Sequence, residues 1–596
     1  MEQTSYLTAA GVRVIRHAEE FDSAELDTIT RQVEDRPGGV LSSGMEYPGR
    51  YSRWHLAYVD PPVEIVARGR RIRASALNER GVVLLPVIAA AICRAAGARE
   101  HEVPGADLDG CSRHAEVLIP ETGEVFTEEE RSRQPTVFSA LREVIATLAG
   151  PDPHLGLYGA FGYDLAFQFE PVRQRLTRDP AARDLVLHLP DQIWAVDRKR
   201  ETATRFSYDF ETASGSTAGL ARPAGGSGRS EPVPLMTELP ADPQPGSYAS
   251  VVEKARGHFA RGDLFEVVPG HVFHARCPSP AVFFERLRTR NPAPYEFFFN
   301  LGADEYLVGA SPEMYVRVTG DRVETCPISG TIARGSDALA DAAQIRALLN
   351  SPKEESELTM CTDVDRNDKS RICVPGSVRV IGRRQIEMYS RLIHTVDHVE
   401  GTLRPGFDAL DAFLTHMWAV TVTGAPKTWA MQFIEDHESS PRRWYGGAVG
   451  VLGFDGSMNT GLTLRTAHVT GGVAAVRAGA TLLFDSDPAG EEQETVLKAR
   501  ALLETLAEAA GPEPPVGEPA ALQPAPGTGL SVLLVDHQDS FVHTLGGYFR
   551  ELGAQVSTLR AGFDLALLDQ FAPDLVVLSP GPGTPADFDC GKLLTA

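Results

Sequence analysis

The chain has no long apolar run. Its longest, residues 82–92 of 596, is interrupted by Pro86 and followed by Arg94, whereas a bilayer span takes about 20 apolar residues. Cysteine is scarce as well. Seven (Cys93, Cys111, Cys277, Cys326, Cys361, Cys373 and Cys590) are scattered, odd in number and without C-x-x-C spacing. That excludes a disulfide frame or a zinc ribbon and indicates reduced thiols, as in the cytoplasm. Positive charge is deficient too: 57 Lys and Arg against 80 Asp and Glu leave a net charge of −23. Nucleic acid and anionic membranes are therefore excluded as natural partners, and any anionic substrate needs a site with its own local cations. The N-terminus is polar and acidic and lacks the pattern of a signal peptide, so a cytoplasmic protein is expected.

An apolar content of 43% is ordinary for a chain with a real core. Residues 1–235 mix short strand-like and helical runs without repeats. Residues 214–245, dense in Gly, Ser and Pro, mark a boundary. Residues 246–510 carry stronger patterns. Strands are predicted at 295–301, 306–309 and 314–318, a helix at 340–350, and a hairpin pairing 378–381 with 385–399. Pro426 stands at the expected start of a helix over 428–437. Strands at 446–454, 461–469 and 475–484 precede a helix over 491–509. Strands and helices are interspersed without strict alternation, which predicts an α+β fold with a large, mainly antiparallel sheet system. Residues 511–530 form a Pro/Gly/Ala linker. Residues 531–596 read β-α-β with a glycine turn at 580–583, the opening of a flavodoxin-like α/β unit. At about 65 residues it is too short to bury an ordinary core by itself.

Two acid pairs share the spacing E-x-x-E: Glu354/Glu357 and Glu491/Glu494. On a helix that spacing puts two carboxylates on one face, close enough to share a cation. Glu354 and Glu357 align with Leu358, Cys361 and Val364, so they project from the apolar stripe, where a buried acid needs a compensating charge. Four carboxylates suit Mg²⁺, a hard oxygen-seeking ion. The same acids, taken pair by pair, equally fit a first helical turn that complements the helix dipole.

Between and around these pairs stand GDLFEVVPG (262–270), GASPE (309–313), CPISGTIARG (326–335), KEESE (353–357), DVDRND (363–368) and MYSRLIH (388–394). AVTVTGAPK (419–427), WYGGAVG (444–450), LTLRTA (462–467), AGATLLFDSDP (478–488) and EEQETVLKA (491–499) follow. In this order they resemble the chorismate-using enzymes, and among them the anthranilate synthase family. VLLVDHQDSF (532–541) and LSPGPGTP (578–585) resemble the opening of a class I glutamine amidotransferase, so the layout is similar to that of fused anthranilate synthases.

The resemblance implies a two-sheet fold with outer helices and a Mg²⁺-dependent reaction. Ammonia adds to carbon 2 of chorismate, the carbon-4 hydroxyl leaves, and pyruvate is eliminated to give anthranilate for tryptophan or secondary metabolism. It implies Glu354, Glu357, Glu491 and Glu494 as metal ligands and His394, Thr421, Glu313 and Glu266 as catalytic groups. By pattern alone a core histidine bonded to a carbonyl is the default reading of His394, and Glu313 and Glu266 equally suit ion pairs. The resemblance further implies Arg465, Tyr445 and the backbone of Gly479, Ala480 and Thr481 as the grip on the pyruvyl carboxylate. Gly330, Thr331 and Lys498 would touch the ring substituents.

Ser329 stands where aminodeoxychorismate-forming relatives carry a nucleophilic lysine, and Glu266 where water-activating relatives carry one. Both favour free ammonia as nucleophile. The glutaminase Cys, His and Glu of the amidotransferase family are expected beyond residue 596, with Cys590 in the wrong context to replace the cysteine. The expected partners are therefore chorismate and ammonia, with glutamine served only through a complete amidotransferase unit, and a homodimer is compatible. Ser43, Pro294 and Tyr295 resemble a tryptophan feedback site, in which Glu296 replaces an apolar residue. Two alternative functions remain open on sequence: release of 2-amino-2-deoxyisochorismate without pyruvate loss, and an inactive docking or regulatory subunit.

Overall fold

A computed structural model describes residues 2–45, 47, 49–51, 54–97, 113–198, 200–222, 236, 238–511 and 526–595. Cys111 and most of the linker expected at 511–530 lie outside these. The chain divides into two units, Met1–Gly511 and Pro512–Ala596. Among the described residues no helix is long and apolar enough to cross a membrane.

The first unit is built on two twelve-stranded sheets among the described residues. One runs from edge strand Glu2–Leu7 through Tyr295–Asn300, Glu305–Ser311, Thr466–Thr470 and Val473–Gly479 to edge strand Gly270–Arg276. The other runs from Ile328–Ala333 through Leu392–Thr402, Met314–Thr319, Met458–Leu462 and Gly156–Phe161 to His114–Leu118. The pairings are antiparallel, as the alternating sequence patterns require. Regions 1–235 and 246–510 supply strands to both sheets. Phe297, Phe299 and Leu307 of the first sheet meet Phe161, Val316 and Val449 of the second in one buried core, the interdigitation that holds stacked sheets together.

Helices cover the outer faces. Pro488–Ala509 lays Ala499, Leu502 and Leu506 on the first sheet beside Phe284 and Phe298. Pro352–Ser370 buries Leu358 and Cys361 against strands Ile328–Ala333 and Leu392–Thr402. Both helices begin alike, with a capping side chain and then proline. Ser351 Oγ accepts from the Glu354 N–H (3.4 Å), and Asp487 Oδ2 accepts from the Gly490 N–H (2.7 Å). Such starts fix the helix origin and set each acid pair in or near the first turns.

The hairpin differs from the sequence expectation. Its strands are Arg379–Met388 and Leu392–Thr402, so the turn falls at 389–391 and not near 382–384. Gly382 and its neighbours form a bulge instead, in which the Arg384 N–H donates to Asp397 Oδ1 (2.7 Å). A buried carboxylate that satisfies the bulge backbone lets the strand continue through a turn-like sequence.

The second unit has three parallel strands, Gln555–Arg560, Ser531–Asp536 and Leu575–Leu578, with Ser531–Asp536 central. Helix Val542–Glu551 packs on them. Gly581 follows the third strand; a Cβ there would lie 2.2 Å from the His537 carbonyl, so this turn accepts only glycine.

Candidate active site

One cleft opens where the two helix starts approach the strand ends. Glu354, Glu357, Glu494 and Lys498 line it, with Ser329, Gly330, Thr331, His394, Glu313, Thr421, Tyr445, Arg465, Gly479 and Thr481. Gly330 sits at φ +84°, and a Cβ there would stand 2.6 Å from Thr395 Oγ1 and 3.1 Å from Glu354 Oε2. The glycine thus lets the strand bulge toward the acids. The Thr331 N–H donates to Glu354 Oε2 (3.0 Å), and Ser329 Oγ donates to Glu357 Oε2 (3.1 Å).

The acidic wall is crowded. Burial and the neighbouring Glu354 push the Glu357 carboxyl up to about 8. Glu494 is half-buried, and Lys498 Nζ at 2.6 Å holds its carboxyl below the usual range. Lys498 also donates to the Gly479 carbonyl (3.1 Å). Lys353 Nζ stands 3.0 Å from Glu491 Oε1 and 3.7 Å from Glu357 Oε1, so it ties the two helices together. Its spacing of four from Glu357 announces that ion pair in the sequence.

Among the described residues no three His, Cys, Asp or Glu side chains stand as a finished metal cage. The fit to a divalent cation lies in the charges: four carboxylates, Glu354, Glu357, Glu491 and Glu494, gather around two ammonium groups, Lys353 and Lys498. In addition Glu491 Oε2 is buried without a hydrogen-bond partner. An all-oxygen donor set with more carboxylates than ammonium groups suits Mg²⁺. Glu491 itself lies outside the cleft lining, bonded to Lys353 and Ser486.

Opposite the acids the charge is reversed. Among the described residues the Arg465 guanidinium has no hydrogen-bond or ion-pair partner of its own. Arg465 was expected on a strand, but the strands end at Leu462 and resume at Thr466. The residue adopts φ +50° between them, and its carbonyl accepts from the Ala310 N–H (3.2 Å). A left-handed arginine costs about 1–3 kcal/mol and here turns the side chain into the cleft. The Thr481 N–H, in the same cleft lining, is likewise without a partner among the described residues. Ala480 corrects the expectation for that loop: its N–H donates to Tyr248 Oη (2.8 Å), away from the cleft.

The floor holds proton carriers. Burial pushes Glu313 up to about 8, against the hydrogen bond it accepts from Thr421 Oγ1 (2.7 Å). Burial, helped by Arg465, drives His394 down to about 3. The His394 Nδ1 faces the Gly330 carbonyl (3.3 Å) and Thr331 Oγ1 (3.1 Å). A carbonyl only accepts, so we assign the proton to Nδ1, which leaves Nε2 a free base. Glu266 lies behind this floor, outside the cleft lining. It is fully buried, with Cys361 Sγ 3.7 Å from Oε1 and Oε2 unpartnered. Burial and Glu357 raise its carboxyl far above the usual range.

Ser43, Pro294 and Tyr295 do not line the cleft. The Ser43 loop abuts them through the Gly44 N–H to Ala293 carbonyl bond (2.8 Å). Tyr295 packs edge-on to Tyr51. Glu296 fills the intervening space, accepting from Ser42 Oγ (2.6 Å) and Arg288 Nε (3.3 Å). In the second unit Cys590 is buried, its Sγ 3.4 Å from His537 Nε2.

Residues 105–504 match the family described as chorismate binding enzyme, and residues 533–596 match glutamine amidotransferase class-I. The chain is 58% identical over 601 residues to the anthranilate synthase of Azospirillum brasilense, covering all of this chain and 80% of that protein. It is 32% identical over 489 residues to anthranilate synthase component 1 of Vibrio cholerae serotype O1, covering 78% of this chain and 91% of that one. The crystal structure of anthranilate synthase component I from Streptococcus pneumoniae TIGR4 superposes with a TM-score of 0.55 at 24% identity, over 77% of this chain and 93% of that one. That likeness shows the two-sheet fold. The chain therefore belongs to the chorismate binding enzyme family, in its fused anthranilate synthase type.

Proposed function

We propose that the first unit makes anthranilate and pyruvate from chorismate and ammonia, with Mg²⁺ held at Glu354, Glu357, Glu491 and Glu494. The observation that carries this reading is the polarity of the cleft. Among the described residues an unpartnered guanidinium at Arg465 lines the same cleft as a surplus of carboxylates, a pairing of charges that suits a substrate with two carboxylates. Arg465, joined by the Thr481 N–H and Tyr445, would take the pyruvyl carboxylate, since a planar fork matches it in two hydrogen bonds. The ring carboxylate then points at the acidic wall, where bound Mg²⁺ would supply Lewis-acid charge stabilisation.

Proton transfers fall to groups already in the right form. Glu313, protonated near neutrality, gives its proton to the departing carbon-4 hydroxyl, and Thr421 Oγ1 orients that carboxyl. Ammonia attacks carbon 2 as the carbon-4 hydroxyl leaves. His394 Nε2 removes the carbon-2 proton as pyruvate leaves and the ring becomes aromatic. Ser329 offers no amine, which supports free ammonia as nucleophile.

The test is to incubate the full chain with chorismate, MgCl₂ and an ammonium salt. Blue-fluorescent anthranilate with one pyruvate per molecule is the expected result. A non-aromatic amine without pyruvate, or unchanged chorismate, refutes the reading. Ammonia as nitrogen source leaves the second unit out of the assay.

A further inference from the structure

The geometry points to Lys353 as a built-in counter-ion that holds the place of the divalent cation and must leave the acids when that cation binds. This inference rests on the reading of Glu354, Glu357, Glu491 and Glu494 as the Mg²⁺ set. The two lysines of the cluster are held differently. Lys498 is gripped by Glu494 and also by the Gly479 carbonyl (3.1 Å), a backbone group that a metal does not remove. Among the described residues Lys353 has only carboxylates for partners, Glu491 at 3.0 Å and Glu357 at 3.7 Å. Its side chain is 34% exposed while those two acids are 3% and 7% exposed. The acids are fixed and the lysine has a way out, because a long aliphatic stem lets an ammonium move to water.

The oxygens that Lys353 covers are those a metal would use. Glu491 Oε1 is shared between Lys353 and Ser486 Oγ (2.7 Å), and its Oε2 is buried with no partner. A single positive charge between two helices leaves the cluster under-neutralised. A divalent ion neutralises it better, provided the ammonium withdraws from the same oxygens. Lys353 thereby keeps the two helix starts from repelling each other without metal, and it weakens the apparent metal affinity by competition.

Isothermal titration of the full chain with MgCl₂ alone, without substrate, tests this directly. Lys353→Met keeps the stem and removes the charge; the Mg²⁺ dissociation constant should fall roughly tenfold or more, about the effect of one nearby charge. The rise in melting temperature on adding MgCl₂ should also be larger than in the wild type. A second measurement needs no variant. Acetic anhydride labelling of the wild type, read by mass spectrometry, should show Lys353 several-fold more reactive with MgCl₂ than without, with Lys498 unchanged. Equal or weaker Mg²⁺ binding by Lys353→Met, or a Lys353 that MgCl₂ protects, overturns the inference while leaving the metal site standing. No Mg²⁺ binding by wild type and variant alike overturns both.

Discussion

Two polar clusters sit side by side on one hairpin, around Glu387 and around His394, residues that face each other across the strands. In the first, all is paired. Glu387 Oε1 accepts from Arg50 and from Tyr51 Oη (2.8 Å), and Oε2 accepts from Tyr389 Oη (2.6 Å). Arg50 also donates to Gln385. In the second, Arg465 and the Thr481 N–H are unpartnered among the described residues, and four carboxylates meet two ammonium groups. The satisfied cluster joins Arg50 and Tyr51 to the hairpin and to the Tyr389 ring that packs edge-on to His394. The unsatisfied one keeps unspent polar groups in a cleft, at a cost that only a ligand can recover.

The largest effect expected from breaking this contrast is on stability, in the satisfied cluster. Arg50→Met strands the buried Glu387 carboxylate and should destabilise the first unit by about 3–5 kcal/mol, read as a lower midpoint of chemical unfolding. Arg465→Met should do the opposite. With no partner left behind, stability should stay within about 0.5 kcal/mol, while kcat/KM for chorismate falls about a hundredfold to a thousandfold. Should both variants lose stability alike, the contrast is false.

A smaller effect concerns pH. If protonated Glu313 is the acid, kcat/KM falls as pH rises through about 8. Glu313→Gln should abolish that limb and lower the plateau about a hundredfold. The folded carboxyl binds its proton more tightly than the unfolded one. Its contribution to stability is therefore fully present below the ordinary carboxyl range and is lost as pH rises through about 8. The glutamine variant should accordingly unfold less readily than the wild type above that pH.

Much of the cleft was legible because it rests on local rules. E-x-x-E spacing placed Glu354, Glu357 and Glu494, and Lys498 followed from being one turn beyond Glu494. What escaped depends on distant partners. Arg465 reads as a strand residue until Ala310 is seen to hold its carbonyl in a left-handed turn. Ala480 reads as a donor to substrate until Tyr248, 232 residues earlier, takes its N–H. The Gly382 bulge reads as a turn until Asp397 closes it. The two-sheet fold was legible as α+β from interspersed patterns. The sharing of both sheets by residues before 235 and after 246 was not, since pairing over such separations leaves no periodic mark.

The central claim is that one cleft holds a dicarboxylate between Arg465 and a cation on the acidic wall. It is tested most directly by chorismate binding, measured calorimetrically without ammonia, with and without MgCl₂. The account predicts that MgCl₂ tightens binding in the wild type and in Arg465→Met, and that this gain disappears in Glu357→Gln. A gain that survives intact in Glu357→Gln would contradict it.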